Sequence, residues 1–176
     1  QKELKDGHMP FWENHKNRQG EGITGCFNCQ VRCMDYYELA EWGPLVASCN
    51  LYASTTWVLK DPDMKSWYAF VSKCQRQGID STSASRMIAW AMELYEEGKI
   101  TQKDTDGIEL SWGNKEAIAL MLDKIIKKEG FGEVLAGNPA EAAQKIGDGV
   151  AQIFAINNEI QETMFEQKLG GLETLW

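Results

Sequence analysis

Three cysteines in one short segment are the residues of this chain best suited to chemistry. Residues 25–33 read G-C-F-N-C-Q-V-R-C, so the cysteines have the spacing C-x2-C-x3-C. Such spacing lets a single loop present several thiolates to a metal centre, with backbone N–H groups directed at the sulfurs. The pattern therefore indicates that Cys26, Cys29 and Cys33 are three ligands of an iron–sulfur cluster, whose fourth ligand lies elsewhere.

Other uses of these cysteines stay open at this point. Structural zinc usually takes two C-x2-C pairs, and a second pair is absent. A secreted disulfide scaffold would have an even number of dispersed cysteines, whereas this chain has five, three of them clustered. Cys49 and Cys74 are each either the fourth ligand or a buried apolar residue, and burial is the commoner use of an isolated cysteine.

The composition narrows the class of partner. The chain has 176 residues, a net charge of −8 and a pI of about 4.8, so its field repels phosphate backbones and we expect no nucleic-acid partner. No apolar run is long enough for a membrane span, and residues 1–7 lack the apolar core of a signal peptide. We expect a cytoplasmic protein.

Helical periodicity predicts the elements that must position these cysteines. One helix follows the capping hydroxyls of residues 81–83 and ends at Gly98, a second runs from Asn114 to Gly130, and a third runs from Asn138 to Gly147. A further amphipathic helix is expected over residues 150–166. Residues 6–25 and 99–113 read as irregular, and we find neither strand alternation nor an internal repeat. The predicted fold class is therefore mainly α, a helical bundle with long functional loops.

Three segments, taken together in their order and spacing, resemble the tungsten-containing aldehyde ferredoxin oxidoreductase family. The first is the cysteine loop. The second, Q-R-Q-G-I-D at residues 75–80, is similar to that family's D-x-x-G-L-D pterin-binding loop. The third combines W-G-N at residues 112–114 with G-E-V-L-A at residues 132–136, which look like the family's W-G-N turn and G-x-x-L-A segment.

The resemblance implies the helical middle domain of an oxidoreductase of this type. Members hold a tungsten bis-pterin of the molybdopterin type close to a 4Fe-4S cluster. They carry low-potential electrons between a ferredoxin-like partner, or an iron–sulfur electron-transfer subunit, and a carbonyl substrate. That substrate is an aldehyde or, in the tungsten benzoyl-CoA reductase branch, an aromatic acyl-CoA thioester. The fourth cluster cysteine of the family comes from a later domain, which makes Cys49 and Cys74 weaker candidates.

The same resemblance assigns three residues to the pterin. Asp80 is expected to accept hydrogen bonds from the ring's amino and N–H edge, and Gly78 to let the backbone approach the cofactor closely. Gln75 stands where the family usually has an aspartate, so it brings an acceptor oxygen without charge. For Asp80 the alternative is an N-cap of the following helix.

Two departures from the family pattern bear on function. Aldehyde-oxidising members often have a glutamate after Gly-Pro, near the metal, whereas Leu45 follows Gly43-Pro44 here. Some members also have E-x-x-H before the pterin loop, binding a metal between subunits. Ala69 and Ser72 occupy those positions, so we predict no such metal.

The remaining expectations concern the ends of the chain. Residues 1–25 are expected to form an irregular entry segment bordering the active site, in which His15, walled off from water by Phe11 and Trp12, is a candidate proton donor. Residues 26–156 would form the helical cluster- and pterin-binding domain, and residues 157–176 a tail without assignment. Rival hypotheses are a non-catalytic iron–sulfur electron-transfer subunit and a zinc-stapled helical interaction domain.

Overall fold

The structure, a computed structural model, describes residues 23–24, 28, 34–39, 43–48 and 58–147. His15, the three clustered cysteines, Cys49 and the helix expected over residues 150–166 therefore lie outside the described residues. The bounds given below are those of the described elements.

A small antiparallel sheet precedes the helices. Its strands are β1 (Ile23–Thr24), β2 (Met34–Leu39) and β3 (Gly43–Ser48), in the spatial order β1-β2-β3. Tyr36 pairs with Val46 in the middle of the β2–β3 ladder. The sequence shows no strand alternation, so these strands were not predicted. β1 has only two residues, and the aromatic and acidic side chains of β2 do not alternate with apolar ones, so the period-of-two signal was too weak.

Helix α1 (Met64–Gln77) was not recognised as a separate element in the sequence. Asp63 caps it by accepting a hydrogen bond from the backbone N–H of Lys65, at 2.9 Å. The same carboxylate pairs with Lys115 at the start of a later helix. The Lys115 ammonium, and then the Lys65 N–H, hold the pKa of Asp63 below its usual range. One carboxylate thus ties together the beginnings of two helices.

Helix α2 (Ser81–Glu96) lies at the centre of the core. Its predicted apolar stripe is buried, but so are residues off that stripe, such as Trp90, Leu94 and Ser85. A helix buried on nearly all sides is typical of the middle of a packed layer. The predicted end is confirmed, because Gly98 has a φ of +69° and follows the last turn.

The later helices are α3 (Lys115–Lys127), α4 (Phe131–Leu135) and α5 (Pro139–Ile146). The predicted starts at Asn114 and Asn138 are confirmed. Both residues are N-caps, since the Asn114 side chain accepts from the N–H of Ala117 and the Asn138 side chain accepts from the N–H of Ala140. The end predicted for α3 was wrong by a few residues. Its C-cap is Lys128 in the left-handed region, and Gly130 instead precedes α4.

The segment between α2 and α3 is irregular, as expected, but it is firmly anchored. The Asp106 carboxylate accepts a hydrogen bond from the Phe131 N–H at 2.8 Å and pairs with Lys124 at 3.0 Å. Thr105 is fully buried, and its hydroxyl donates to the carbonyl of Ile108 at 2.6 Å. These contacts fix the turn region against α3 and α4.

Candidate functional site

The cysteine segment connects two paired strands. Thr24 at the end of β1 is the Cα partner of Met34 at the start of β2. Cys26 follows Thr24 by two residues and Cys33 immediately precedes Met34, so all three predicted thiol ligands lie in the chain that connects β1 to β2. β1, β2 and this connection are the cysteine hairpin. Because Thr24 and Met34 are paired, the two ends of the connection lie within the ~5 Å that separates paired Cα atoms.

The segment that resembles the pterin-binding loop lies between two helices. Helix α1 ends at Gln77, and Gly78 adopts the left-handed conformation with φ +68° and ψ +30°. The Gly78 N–H donates to the backbone carbonyl of Gln75, and the Ile79 N–H donates to the backbone carbonyl of Cys74 at 2.9 Å. These two bonds close the end of the helix. An added Cβ at Gly78 would have no heavy atom within 4 Å. The backbone here is exposed and approachable, which fits the role expected of Gly78.

Asp80 is the N-cap of α2. Its Oδ2 accepts a hydrogen bond from the Ser83 N–H at 2.7 Å, and the residue is exposed. The expectation that the hydroxyls of residues 81–83 cap this helix was therefore wrong, since the carboxylate one residue earlier has the extended backbone that an N-cap needs. This hydrogen bond to the backbone gives Asp80 a structural role at the start of α2. The pterin contact stays a prediction.

The end of α1 contacts β3 through two long side chains. The side-chain amide of Gln75 donates from Nε2 to the carbonyl of Val46 at 2.5 Å. The neighbouring Arg76 guanidinium lies so close to Gly43 that a Cβ there would be 2.7 Å from it. Arg76 also donates from Nε to the Ser72 hydroxyl at 3.2 Å. The strand next to the cysteine hairpin is thus joined to the loop that holds Gly78 and Asp80.

Leu45, which stands at the family's glutamate position, belongs to the core. It lies on β3 between the two contacts just described and is 1% exposed. A carboxylate at this depth would need a partner to offset its desolvation. The structure thus gives this position an apolar packing role.

Cys74 is buried in the core beneath the same loop. Its side chain has no exposed area, and burial, with a smaller contribution from the nearby Asp80 charge, raises the pKa of the thiol to about 12. A metal ligand has to be a thiolate. The structure therefore favours the buried apolar role for Cys74 over the role of fourth ligand.

Ala69 and Ser72, the two positions of the E-x-x-H pattern, differ in their surroundings. Ala69 lines an open cavity of about 310 Å³ between α1 and α3, over the aromatic side chains of Trp67 and Phe70. Ser72 is buried and receives the Arg76 hydrogen bond. The absence of an intersubunit metal there stays a prediction.

The W-G-N turn joins three elements, which the sequence did not reveal. The Trp112 indole donates to the Glu96 carboxylate at the end of α2 at 2.7 Å, and the Lys60 ammonium lies 4.3 Å from the Trp112 ring centre. The Gly113 N–H donates to the carbonyl of Leu59 at 3.0 Å. Asn114 then caps α3. The motif is a structural junction.

The described part of the chain lacks two further features, a cluster of metal-binding side chains and a membrane-spanning helix. In residues 23–24, 28, 34–39, 43–48 and 58–147, no three His, Cys, Asp or Glu side chains are grouped so as to hold a metal ion. Over the same described ranges, no helix is both long and apolar enough to cross a bilayer.

Comparison with known proteins places the chain in a family. Residues 6–165 match the family model described as aldehyde ferredoxin oxidoreductase, domains 2 & 3. The chain belongs to the aldehyde ferredoxin oxidoreductase family. The expected family and the mainly α architecture of its middle region are thereby confirmed. The match crosses both predicted domain boundaries, at residues 25 and 156, and that division stays a prediction.

Several proteins of known function or structure are similar to this family member. The WOR-like subunit of an aliphatic sulfonate oxidoreductase from Pyrococcus furiosus is 30% identical over 69% of the chain and 20% of its own length. A tungsten-containing aldehyde ferredoxin oxidoreductase from the same organism is 39% identical over 42% of the chain and 12% of its own length.

The fold is also similar to that of a solved structure. The active-site complex BamBC of benzoyl coenzyme A reductase, in complex with 1,5-dienoyl-CoA, matches with a TM-score of 0.71 and 26% identity. That match covers 87% of this chain and 23% of the other. The chain thus spans about a fifth or less of the length of the curated relatives described above.

Proposed function

We propose that this chain is the middle region of the catalytic subunit of a tungsten–pterin, iron–sulfur oxidoreductase. The protein would carry low-potential electrons between a ferredoxin or iron–sulfur electron-transfer subunit and a carbonyl substrate. The family membership supports the enzyme class, and relatives named as tungsten-containing support the metal.

One observation carries the proposal. β3 pairs with β2, which begins directly after Cys33. Through the carbonyl of Val46, β3 is also hydrogen-bonded to Gln75 at the end of α1, the helix that leads into the Gly78–Asp80 loop. A cluster site and a pterin site on these two loops would therefore be neighbours. A cluster can relay single electrons to or from the metal–pterin group only if the two centres lie close together.

Each residue has a distinct task in this proposal. The thiolates of Cys26, Cys29 and Cys33 hold three corners of a 4Fe-4S cluster. Asp80 accepts hydrogen bonds from the pterin through its carboxylate, and Gly78 gives the cofactor access to the backbone. When bound, the metal–pterin group supplies two-electron chemistry and the cluster supplies single-electron relay. His15 would donate a proton near the substrate.

Leu45 favours an aromatic acyl-CoA thioester over an aldehyde as the substrate. An aldehyde oxidoreductase would use an acid or base near the metal, and the residue after Gly43-Pro44 is instead an apolar side chain packed in the core. The fold match to a benzoyl-CoA reductase complex that binds a dienoyl-CoA supports the same branch. Reduction of an aromatic ring then depends on proton donors and very low-potential electrons.

A pair of assays on the anaerobically purified full-length protein tests the proposal. Oxidation of a 1,5-dienoyl-CoA to benzoyl-CoA releases two electrons and two protons, and a viologen dye accepts the electrons visibly. We expect dye reduction with the dienoyl-CoA and none with benzaldehyde or acetaldehyde. Turnover of aldehydes alone would overturn the substrate assignment but keep the enzyme class. No turnover of either, in protein containing iron but no tungsten, would support the electron-transfer subunit instead.

A further inference from the structure

The contact between Gln75 and β3 depends on a hydrogen-bond donor. β3 lies at the edge of the described sheet, and an edge strand presents carbonyl groups that the ladder does not use. The carbonyl of Val46 is such a group, and the side-chain amide of Gln75 donates to it from the last turn of α1. The aspartate expected here from the family pattern has no N–H group in its side chain, so it could not donate to Val46. Its negative charge would instead face the carbonyl oxygen.

This contact lies between the two predicted cofactor loops. Val46 is two residues from Ser48, which is the partner of Met34, and Met34 immediately follows Cys33. At a strand rise of ~3.4 Å per residue, the Gln75 contact is about 7 Å along β3 from the base of the cysteine hairpin. On the other side, Gln75 precedes Gly78 by three residues.

Resting on the proposed function, we propose that Gln75 is a positioning residue that fixes β3, and the strand β2 paired with it, relative to the Gly78–Asp80 loop. Its Nε2 group donates to β3, and its Oε1 atom is an acceptor that this hydrogen bond does not use. The departure from the family's aspartate would thus be a change of role at this position. The essential group is the donor that reaches Val46.

Two substitutions separate the donor from the acceptor. Gln75→Glu keeps the length and an acceptor oxygen but removes the donor. Gln75→Lys keeps a donor within reach of Val46 and removes the acceptor. Gln77, exposed two residues further along the same helix end, provides matched charge controls as Gln77→Glu and Gln77→Lys.

The measurements are iron, sulfide and tungsten content, the EPR spectrum of the reduced cluster, and kcat on full-length holoenzyme. In Gln75→Glu we expect normal iron but an EPR spectrum split into more than one form. We also expect kcat to fall by about tenfold to a hundredfold, as displacements near 1 Å can cause. Gln75→Lys and both Gln77 variants should match the wild type in EPR.

Three results would overturn the inference. The first is a Gln75→Glu spectrum identical to that of Gln77→Glu. If the wild-type protein is fully loaded with cluster and tungsten, this result would leave the proposed function standing. The second is a Gln75→Lys spectrum as disturbed as that of Gln75→Glu. If Gln75→Glu does not accumulate, a disturbed Gln75→Lys spectrum alone would overturn the inference. The third is wild-type protein without cluster and tungsten, which would overturn the proposed function together with the inference.

Discussion

Asp80 combines two tasks that a pair of substitutions can separate. Its Oδ2 caps α2, and the proposal gives its carboxylate charge to the pterin. Asn caps about as well as Asp, whereas Ala at an N-cap costs ~1 kcal/mol of stability. We therefore predict that Asp80→Asn keeps the melting temperature and loses tungsten, and that Asp80→Ala loses both. Thermal denaturation and tungsten analysis of the same samples check this. Full tungsten retention in Asp80→Asn would leave Asp80 with the capping role alone.

The cysteine assignments lead to a second prediction. Cys29→Ala removes one of three thiolates from the hairpin loop and should abolish cluster binding, measured as iron and inorganic sulfide per subunit. Cys74→Ala, in which the lost sulfur is buried, is the matched control and should retain both. If Cys29→Ala kept full iron and sulfide, the ligand assignment would be wrong. If Cys74→Ala lost them, Cys74 would have to be restored as a ligand.

The buried thiol of Cys74 also predicts a dependence of stability on pH. Its pKa is raised from 9.0 to about 12 in the folded protein, so the folded state holds the proton more tightly than the unfolded state. The resulting stabilisation is complete below pH 9 and is lost as the pH rises from 9 towards 12. Urea denaturation at pH 8 and pH 10.5 should show a smaller loss of stability in Cys74→Ala than in the wild type. Equal losses would contradict the assigned burial.

At the scale of the helices, Gly132 explains why a glycine begins the G-x-x-L-A segment. A Cβ at this position would lie 2.2 Å from the backbone carbonyl carbon of Lys124, so α3 and α4 approach each other at the glycine. We predict that Gly132→Ala destabilises the protein by 1–3 kcal/mol or more, as overpacking against a backbone does.

The matched control for Gly132 is Gly98→Ala. Gly98 has open space around it, so only its positive φ opposes a side chain, at a cost of ~1–2 kcal/mol. Denaturant midpoints of the two variants compare the effects directly. A smaller loss in Gly132→Ala than in Gly98→Ala would show that α3 and α4 are not packed as described.

The helices were the part of the fold that the sequence predicted best. Asn114 and Asn138 were recognised as caps because a short polar acceptor stands just before an apolar periodicity. For α2 the sequence offered two candidate N-caps, the hydroxyls of residues 81–83 and the carboxylate of Asp80, because both have the same capping chemistry, and the structure shows Asp80 in that role. α1 was not recognised separately, because the side of the helix that becomes buried combines aromatic, small and polar residues. These residues are buried only through tertiary packing.

At the scale of the whole molecule, the sequence suggested candidate components of the site but not their connection. Spacing indicated the cysteines, and the family resemblance indicated Gly78 and Asp80. The contact of Gln75 with Val46 joins residues 29 positions apart, and no local pattern encodes which edge carbonyl a helix end will meet. The β-sheet could not be predicted from local pattern either, because strands this short are stable only when they are paired.

The proposed function requires the full-length protein to carry both a 4Fe-4S cluster and tungsten. Its most direct test is elemental analysis of anaerobically purified protein for iron, tungsten, molybdenum and zinc together. We predict about four iron atoms and one tungsten atom per subunit. Iron without tungsten or molybdenum would contradict the catalytic role and favour an electron-transfer subunit, and zinc alone would contradict both.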